Sequence, residues 1–308
     1  MKKICIVFFI LVANIAVKAQ QDAIYSQYMF NPFMINPAYA GSREALSGVL
    51  LFREQWVGID GAPRTQTFSV HSAIGKTGLA GGLNLVNDVV GPTRNSGAFA
   101  TAAYHLKLSK GKLSFGLRGG MYNSRLDNAK LNYYDNTDRF INQGIANATI
   151  PSFDAGLYYY TKMFYAGLSS THLTQQKFAY DNYPSGTNLY LRRHYMLSTG
   201  MAFEVSPKVV LKPSALVKFV EASPVNIDVN FSALLNKRFW LGISSRNGNG
   251  FNNIAFISEF YITDWARLGY SYDLVLNRLK KFTMGTHEIV AAFDINVKRV
   301  KYLSPRYL

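Results

Sequence analysis

Asn226-Ile227-Asp228-Val229-Asn230-Phe231-Ser232-Ala233-Leu234-Leu235-Asn236 decides the fold. Its odd positions read Ile227, Val229, Phe231, Ala233 and Leu235, while the even ones are polar except for Leu234. Strand side chains alternate between two faces, so this stretch makes a wall with grease on one side and polar groups on the other. A soluble sandwich would hide the greasy face against a second sheet. In a closed barrel the same face meets lipid, and the polar face lines the interior.

The pattern repeats along the chain. Leu113, Phe115, Leu117 and Met121 alternate with Ser114, Gly116, Arg118 and Gly120, which turns Arg118 inward. Val209, Leu211, Ala215, Val217 and Phe219 flank Lys212, Ser214 and Lys218 in the same way. A lysine on the lipid side would cost about 2–4 kcal/mol at mid-membrane, so these lysines are expected to face in. Pro213 falls on the apolar parity and removes a ladder donor, which predicts a bulge or strand edge beside it.

Period-two segments between turn signals give about 14 antiparallel strands, an even number as bacterial single-chain barrels require. They start near Glu44, Arg64, Thr77, Asn95, Lys112, Pro151, Phe164, Arg192, Lys208, Asn226, Phe239, Asn252, Asp264 and Gly285. Every second connection is short, as at residues 75–76, 109–111, 161–163, 206–207, 236–238 and 262–263. The alternate ones are mostly longer, at residues 55–63, 88–94, 127–150, 173–191, 247–250 and 273–284; residues 221–225 are the short exception. Short periplasmic turns and long extracellular loops fit this rhythm, with both termini periplasmic. The 20 tyrosines and 21 phenylalanines supply aromatic girdles as well as ordinary sheet packing.

The first residues give the address. Lys2 and Lys3, an apolar run from Ile4 to Ala13 and the exit Val17-Lys18-Ala19 read as a signal peptide over residues 1–19. The run is too short for a retained membrane helix, and no later stretch reaches about 18 consecutive apolar residues. Cys5 is the single cysteine and lies in the leader, which rules out a disulfide or a cysteine-based metal site in the mature chain. Export together with a membrane-patterned sheet points to the outer membrane. Without Lys2, Lys3 and Lys18 the chain keeps 30 basic and 18 acidic residues, a net charge of +12. No basic helix or RNP-like run organises phosphate contacts, so nucleic acid is not an expected partner. Lysines concentrated in short turns fit anionic lipid headgroups, with lipopolysaccharide as the lipid partner.

Residues 20–43 fit no strand. Two Asn-Pro steps, Asn31-Pro32 and Asn36-Pro37, force extended or turn geometry. This aromatic segment either plugs the lumen or packs as a periplasmic arm under the barrel mouth. The expected organisation is then leader 1–19, plug or arm 20–43, barrel 44–297 and a basic tail at 298–308.

Chemistry is sparse. His71, His105, His172, His194 and His287 fall on different expected strands without metal-ligand spacing, so neither a metal nor another cofactor is expected. Ile74-Gly75-Lys76-Thr77 lacks the first glycine of a phosphate loop and sits in a turn after a strand. Nothing points to an enzyme. The long loops carry Tyr133, Tyr134 and Arg139, then Phe178, Tyr180, Tyr183 and Tyr190. Loop aromatics of this kind either bind a protein partner or fold over and seal the barrel mouth.

Tyr25-Ser26-Gln27-Tyr28, Asn31-Pro32 and Asn36-Pro37-Ala38-Tyr39-Ala40-Gly41, followed by Arg53-Glu54-Gln55-Trp56-Val57-Gly58 and Gly61-Ala62-Pro63-Arg64, resemble the PorP/SprF family. That family belongs to the type IX secretion system of Bacteroidota. The likeness continues through Asn87–Pro92, Leu113–Gly120, Lys212-Pro213-Ser214, Gly269–Asp273 and Gly285–Ile289. It implies a non-enzymatic outer-membrane protein that works with other type IX components to deliver or retain large secreted cargo, including gliding and adhesion proteins. Tyr25, Gln27, Tyr28, Asn31, Pro32, Asn36, Pro37, Tyr39, Gly41, Arg53, Trp56, Gly58 and Pro63 are the residues that carry the motif. Relatives finish soon after the last strand with an aromatic; here either Phe293 or Tyr307-Leu308 fills that place. A channel or transporter for a small solute is the alternative that barrel size allows.

Overall fold

The structure, a computed structural model, describes residues 23, 25–131, 144–181, 190–221, 223–248 and 253–295. The expected leader, the tail at 298–308 and the loop residues Tyr133, Tyr134, Arg139 and Tyr183 lie outside the described residues.

Among the described residues fifteen strands follow in chain order. They are β1 (Leu46–Glu54), β2 (Arg64–Ala73), β3 (Leu79–Val90), β4 (Thr93–Leu108), β5 (Gly111–Asp127), β6 (Ile145–Tyr160), β7 (Phe164–Thr171) and β8 (His194–Met201). After these come β9 (Phe203–Ser206), β10 (Val209–Val220), β11 (Asn226–Leu235), β12 (Phe239–Asn247), β13 (Asn253–Tyr261), β14 (Ala266–Val275) and β15 (Thr286–Ile295). All pairings are antiparallel, and β10 pairs with β11, which closes the sheet on itself. β8 and β9 lie end to end along β10, broken at Ala202, so the wall is a 14-strand barrel with one extra strand. The break sits opposite Lys212 and beside Pro213, where the ladder lacks a donor. The irregularity expected at Pro213 thus appears in its neighbour, while β10 stays in register with β11 through Pro213 and Phe231.

The two faces separate as hydrocarbon demands. Asn226, Asp228, Asn230 and Ser232 are buried, whereas Ile227, Val229 and Phe231 are exposed. Leu117 on β5 is 67% exposed and Val229 is 55% exposed. An apolar face of this extent is stable against lipid and would aggregate in water. Arg118, Lys212 and Lys218 all face inward, as their parity requires. Phe293 faces out over Gly48, where an added Cβ would come within 2.3 Å of its ring.

Two boundaries differ from the sequence reading. β6 begins at Ile145 rather than near Pro151, and the connection expected over residues 88–94 shrinks to Gly91-Pro92 between β3 and β4. β4, β5 and β6 run for 16, 17 and 16 residues, beyond the roughly 9–11 that span a bilayer. In their upper parts the alternation inverts: Asn123, Asn147 and Thr149 face out, while Tyr122, Ala148 and Ile150 pack inward with Phe178 and Leu191. Apolar residues on the outward parity end where the strands leave the hydrocarbon, so that parity gives no sign of the extension. The strand ends on this side are called the loop end below, and those at the short connections the turn end.

Candidate functional site

The inward faces converge on residues 25–43. Short 3-10 turns form at Tyr28–Phe30, Pro32–Met34 and Pro37–Tyr39, the latter two opened by proline, whose fixed φ suits a first turn. Asn36 caps the third by accepting the Ala38 N–H at 2.9 Å. Tyr25, Gln27, Tyr28, Asn31, Pro32, Asn36, Pro37, Tyr39 and Gly41 are all buried. Tyr25–Gln27 sit beside the loop-end parts of β1, β12, β14 and β15, and Gly41–Arg43 beside Ala73, Ala80 and Asp294 at the turn end. The described chain therefore runs from the loop end down to β1.

Arg53 organises the loop-end half. It is fully buried and bonds Asp273 at 2.8 Å, Glu288 at 2.9 Å and the Ser26 hydroxyl at 2.9 Å. Glu288 accepts the backbone N–H groups of Ser26 and Gln27 at 3.0 and 2.8 Å, and Asp273 accepts the Ser26 hydroxyl at 2.7 Å. Two carboxylates and one guanidinium out of water need hydrogen-bond partners beyond one another. The segment supplies several of those partners.

Backbone without a strand partner must also be satisfied. Here side chains of the wall do it. Arg246 donates to Tyr25 O at 2.8 Å, Lys212 to Met29 O at 3.3 Å, Arg118 to Met34 O at 3.1 Å, and Ser169 to Ile35 O at 2.6 Å. His105 Nε2 meets Ala40 O at 2.7 Å, and Gly41 N donates to His71 Nδ1 at 3.0 Å. Asn31 bonds Ser69 at 3.1 Å, and Asn36 donates to Leu157 O at 2.9 Å. The Lys212 ammonium also lies 5.8–5.9 Å from the rings of Phe30, Tyr165 and Trp240, a cation–π arrangement.

Wall glycines make room for this. A Cβ on Gly116 would stand 2.2 Å from Ala38 N, and one on Gly156 would stand 2.1 Å from Asn36 Oδ1. Glycine inside a strand commonly marks such a close approach.

The structure joins Arg53 to the N-terminal motif but not Trp56, Gly58 or Pro63. Those three lie in the β1–β2 loop, which pairs with the β14–β15 loop through Val57 N to Gly285 O at 2.9 Å and Met284 N to Val57 O at 2.8 Å. The partners Asp273, Glu288, Lys212 and Arg118 were not singled out as site residues. Each nevertheless falls inside a strand fragment that carried the family likeness. Of the loop aromatics, Phe178 is buried against Tyr122 and Tyr180 bonds Ser124, whereas Tyr190 stays on the surface with Arg192 over its ring at 5.8 Å. A cavity of about 100 Å³ lies at the loop end, floored by Tyr25, Met34 and Ile35 and walled by Asp154, His172 and His194. No group of metal-ligating side chains occurs among the described residues.

Known proteins agree with this architecture. The family described as type IX secretion system membrane protein PorP/SprF matches residues 17–293. The chain belongs to the PorP/SprF family. This PorP/SprF barrel is similar in structure to the Ralstonia pickettii toluene transporter TbuX, at TM-score 0.52 and 11% identity over 85% of this chain and 92% of that one. The Acinetobacter baumannii outer membrane protein Omp33 matches at TM-score 0.49 and 9% identity, over 82% of this chain and 99% of that one. Likeness at such identity shows the fold alone. No curated protein matches the sequence. Family and fold make the chain a type IX secretion membrane protein of the outer membrane.

Proposed function

We propose that this barrel is a non-catalytic outer-membrane docking and anchoring partner for large type IX cargo, closed by its own N-terminal segment acting as a plug. The observation that carries the plug is the ring of wall donors on the backbone carbonyls of Tyr25, Met29, Met34, Ile35 and Ala40. A lumen committed in this way to its own chain leaves the loop end for partners. In this reading residues 1–19 are the cleaved leader, residues 20–43 the plug, and the new amino terminus lies toward the loop end, which faces outward. Adhesin-like cargo docks on residues 127–150 and 173–191, with Tyr190 as a surface anchor, and the turn end and basic tail meet other secretion components. Deleting residues 132–143 and 182–189 in cells is expected to release cargo into the medium while barrel levels hold. Unchanged surface retention would sink the docking reading.

A second reading, a conduit for a small solute, is favoured by the loop-end cavity and by the likeness to TbuX. It predicts solute flux through the intact barrel, which a docked plug denies.

A further inference from the structure

The register places three rows across the outer face of β2–β6. The first is apolar: Phe68, Leu85, Ala98, Met121 and Pro151. Two residues further toward the loop end stand Gln66, Asn87, Ser96, Asn123 and Thr149, all amides or hydroxyls. Two residues beyond again come Arg64, Val89, Arg94, Arg125 and Asn147. With a strand rise near 3.4 Å, successive rows are separated by about 7 Å along the strands. Hydrocarbon, a hydroxyl-matching layer and a cationic layer thus follow one another on one wall.

The arginines are arranged as for an anion. Arg94 and Arg125 are direct cross-strand partners, and both are exposed. Like charges facing each other across a ladder destabilise it unless something negative sits between them. Arg64 has an acid, Glu54 at 3.2 Å, but no acid reaches ion-pair distance of Arg94 or Arg125 among the described residues. The nearby acids are engaged elsewhere: Asp127 with Lys130 at 3.9 Å, and Asp88 inward with Thr65 at 2.6 Å. Asn87 accepts from Arg94 Nε at 2.8 Å, which steers that guanidinium along the row. Elsewhere the outer face at the loop end shows Tyr195, Phe219, Tyr270, Tyr272 and His287, with Arg193 bonded to the Tyr195 hydroxyl at 3.1 Å.

We propose that Arg94 and Arg125, assisted by Arg64, bind the phosphate groups of a phosphorylated glycolipid in the leaflet at the loop end. Arginine forks match phosphate oxygens bidentately. The apolar row meets the acyl chains, and the amide row lies where the sugar of such a lipid presents hydroxyls. The three arginines lie outside the residues proposed for cargo docking, and the site is read on purified protein without cargo.

The test is lipid binding by the full chain in detergent, followed by native mass spectrometry with diphosphoryl lipid A. The parent is expected to retain it, R94Q/R125Q to lose at least about tenfold in affinity, and R64Q to lose less. Lipid A stripped of both phosphates should bind the parent as weakly as diphosphoryl lipid A binds the double variant. Heat-modifiable migration on gels checks that the variant barrel is folded, and R94K/R125K, which keeps the charge without the fork, should fall between. Equal binding by R94Q/R125Q or by the stripped lipid overturns the proposal. So does equal affinity for phosphatidylglycerol vesicles, or competition by inorganic phosphate at millimolar level, which would point to a generic lipid or a free anion.

Discussion

Replacing Arg53 with alanine should undock the N-terminal segment. The guanidinium is fully buried and bridges Asp273 at 2.8 Å and Glu288 at 2.9 Å, so its loss strands two carboxylates without a counter-ion. Breaking one side of a buried ion-pair network costs about 3–5 kcal/mol. At about 1.4 kcal/mol per decade that is two to three and a half decades in the docked–undocked equilibrium. Met29 is buried, and Cys5 falls in the expected leader, so Met29→Cys gives the mature chain a single thiol. Its maleimide labelling rate reads the undocked fraction and should rise roughly a hundredfold or more when R53A is added. R53M/D273N/E288Q removes the buried charges and keeps one amide oxygen where Glu288 accepts the Ser26 and Gln27 N–H groups, so part of the protection should return. If R53A labelled at the parent rate in a barrel that still migrates as folded, the buried network would not be what holds the segment.

Gly116→Val should also expose Met29→Cys, because its Cβ meets Ala38 backbone at 2.2 Å. Overpacking there costs about 1–3 kcal/mol, while Gly119→Val, whose Cβ finds Phe153 at 3.2 Å on the outer face, should leave labelling unchanged. Val229→Arg puts a charge in the apolar belt and should cost about 2–4 kcal/mol by urea titration in lipid vesicles. Lys212→Met removes a donor from Met29 O and a cation from beside Trp240, and a loss of about 1–3 kcal/mol in segment docking is expected with a shift in tryptophan emission. An unshifted spectrum would place Lys212 outside the aromatic cluster.

The wall was legible because hydrocarbon imposes one rule on every strand that crosses it. Ile227, Val229 and Phe231 face lipid for the same reason as Phe115 and Leu117, so counting period two recovered the barrel and the inward Arg118. Where the strands rise clear of lipid that rule lapses, and Ala146, Ala148 and Ile150 took the opposite face from the one a lipid-facing count assumes. The segment's partners were hidden for a different reason. Ser26 and Glu288 are 262 positions apart, and Arg53 and Asp273 are 220 apart, so their meeting depends on closure of the whole cylinder. Asn31-Pro32 and Asn36-Pro37 announced turns, yet the receptors for those turns were single residues scattered over many strands. The loop aromatics show the same limit: nothing local separates Phe178, which is buried, from Tyr190, which is not.

Planar-bilayer conductance tests the central claim most directly: a lipid-facing cylinder closed by its own N-terminal segment. The intact chain is expected to insert and stay closed, and the chain lacking residues 23–43 to open steadily. An intact chain that conducts as strongly as the shortened one would contradict the account.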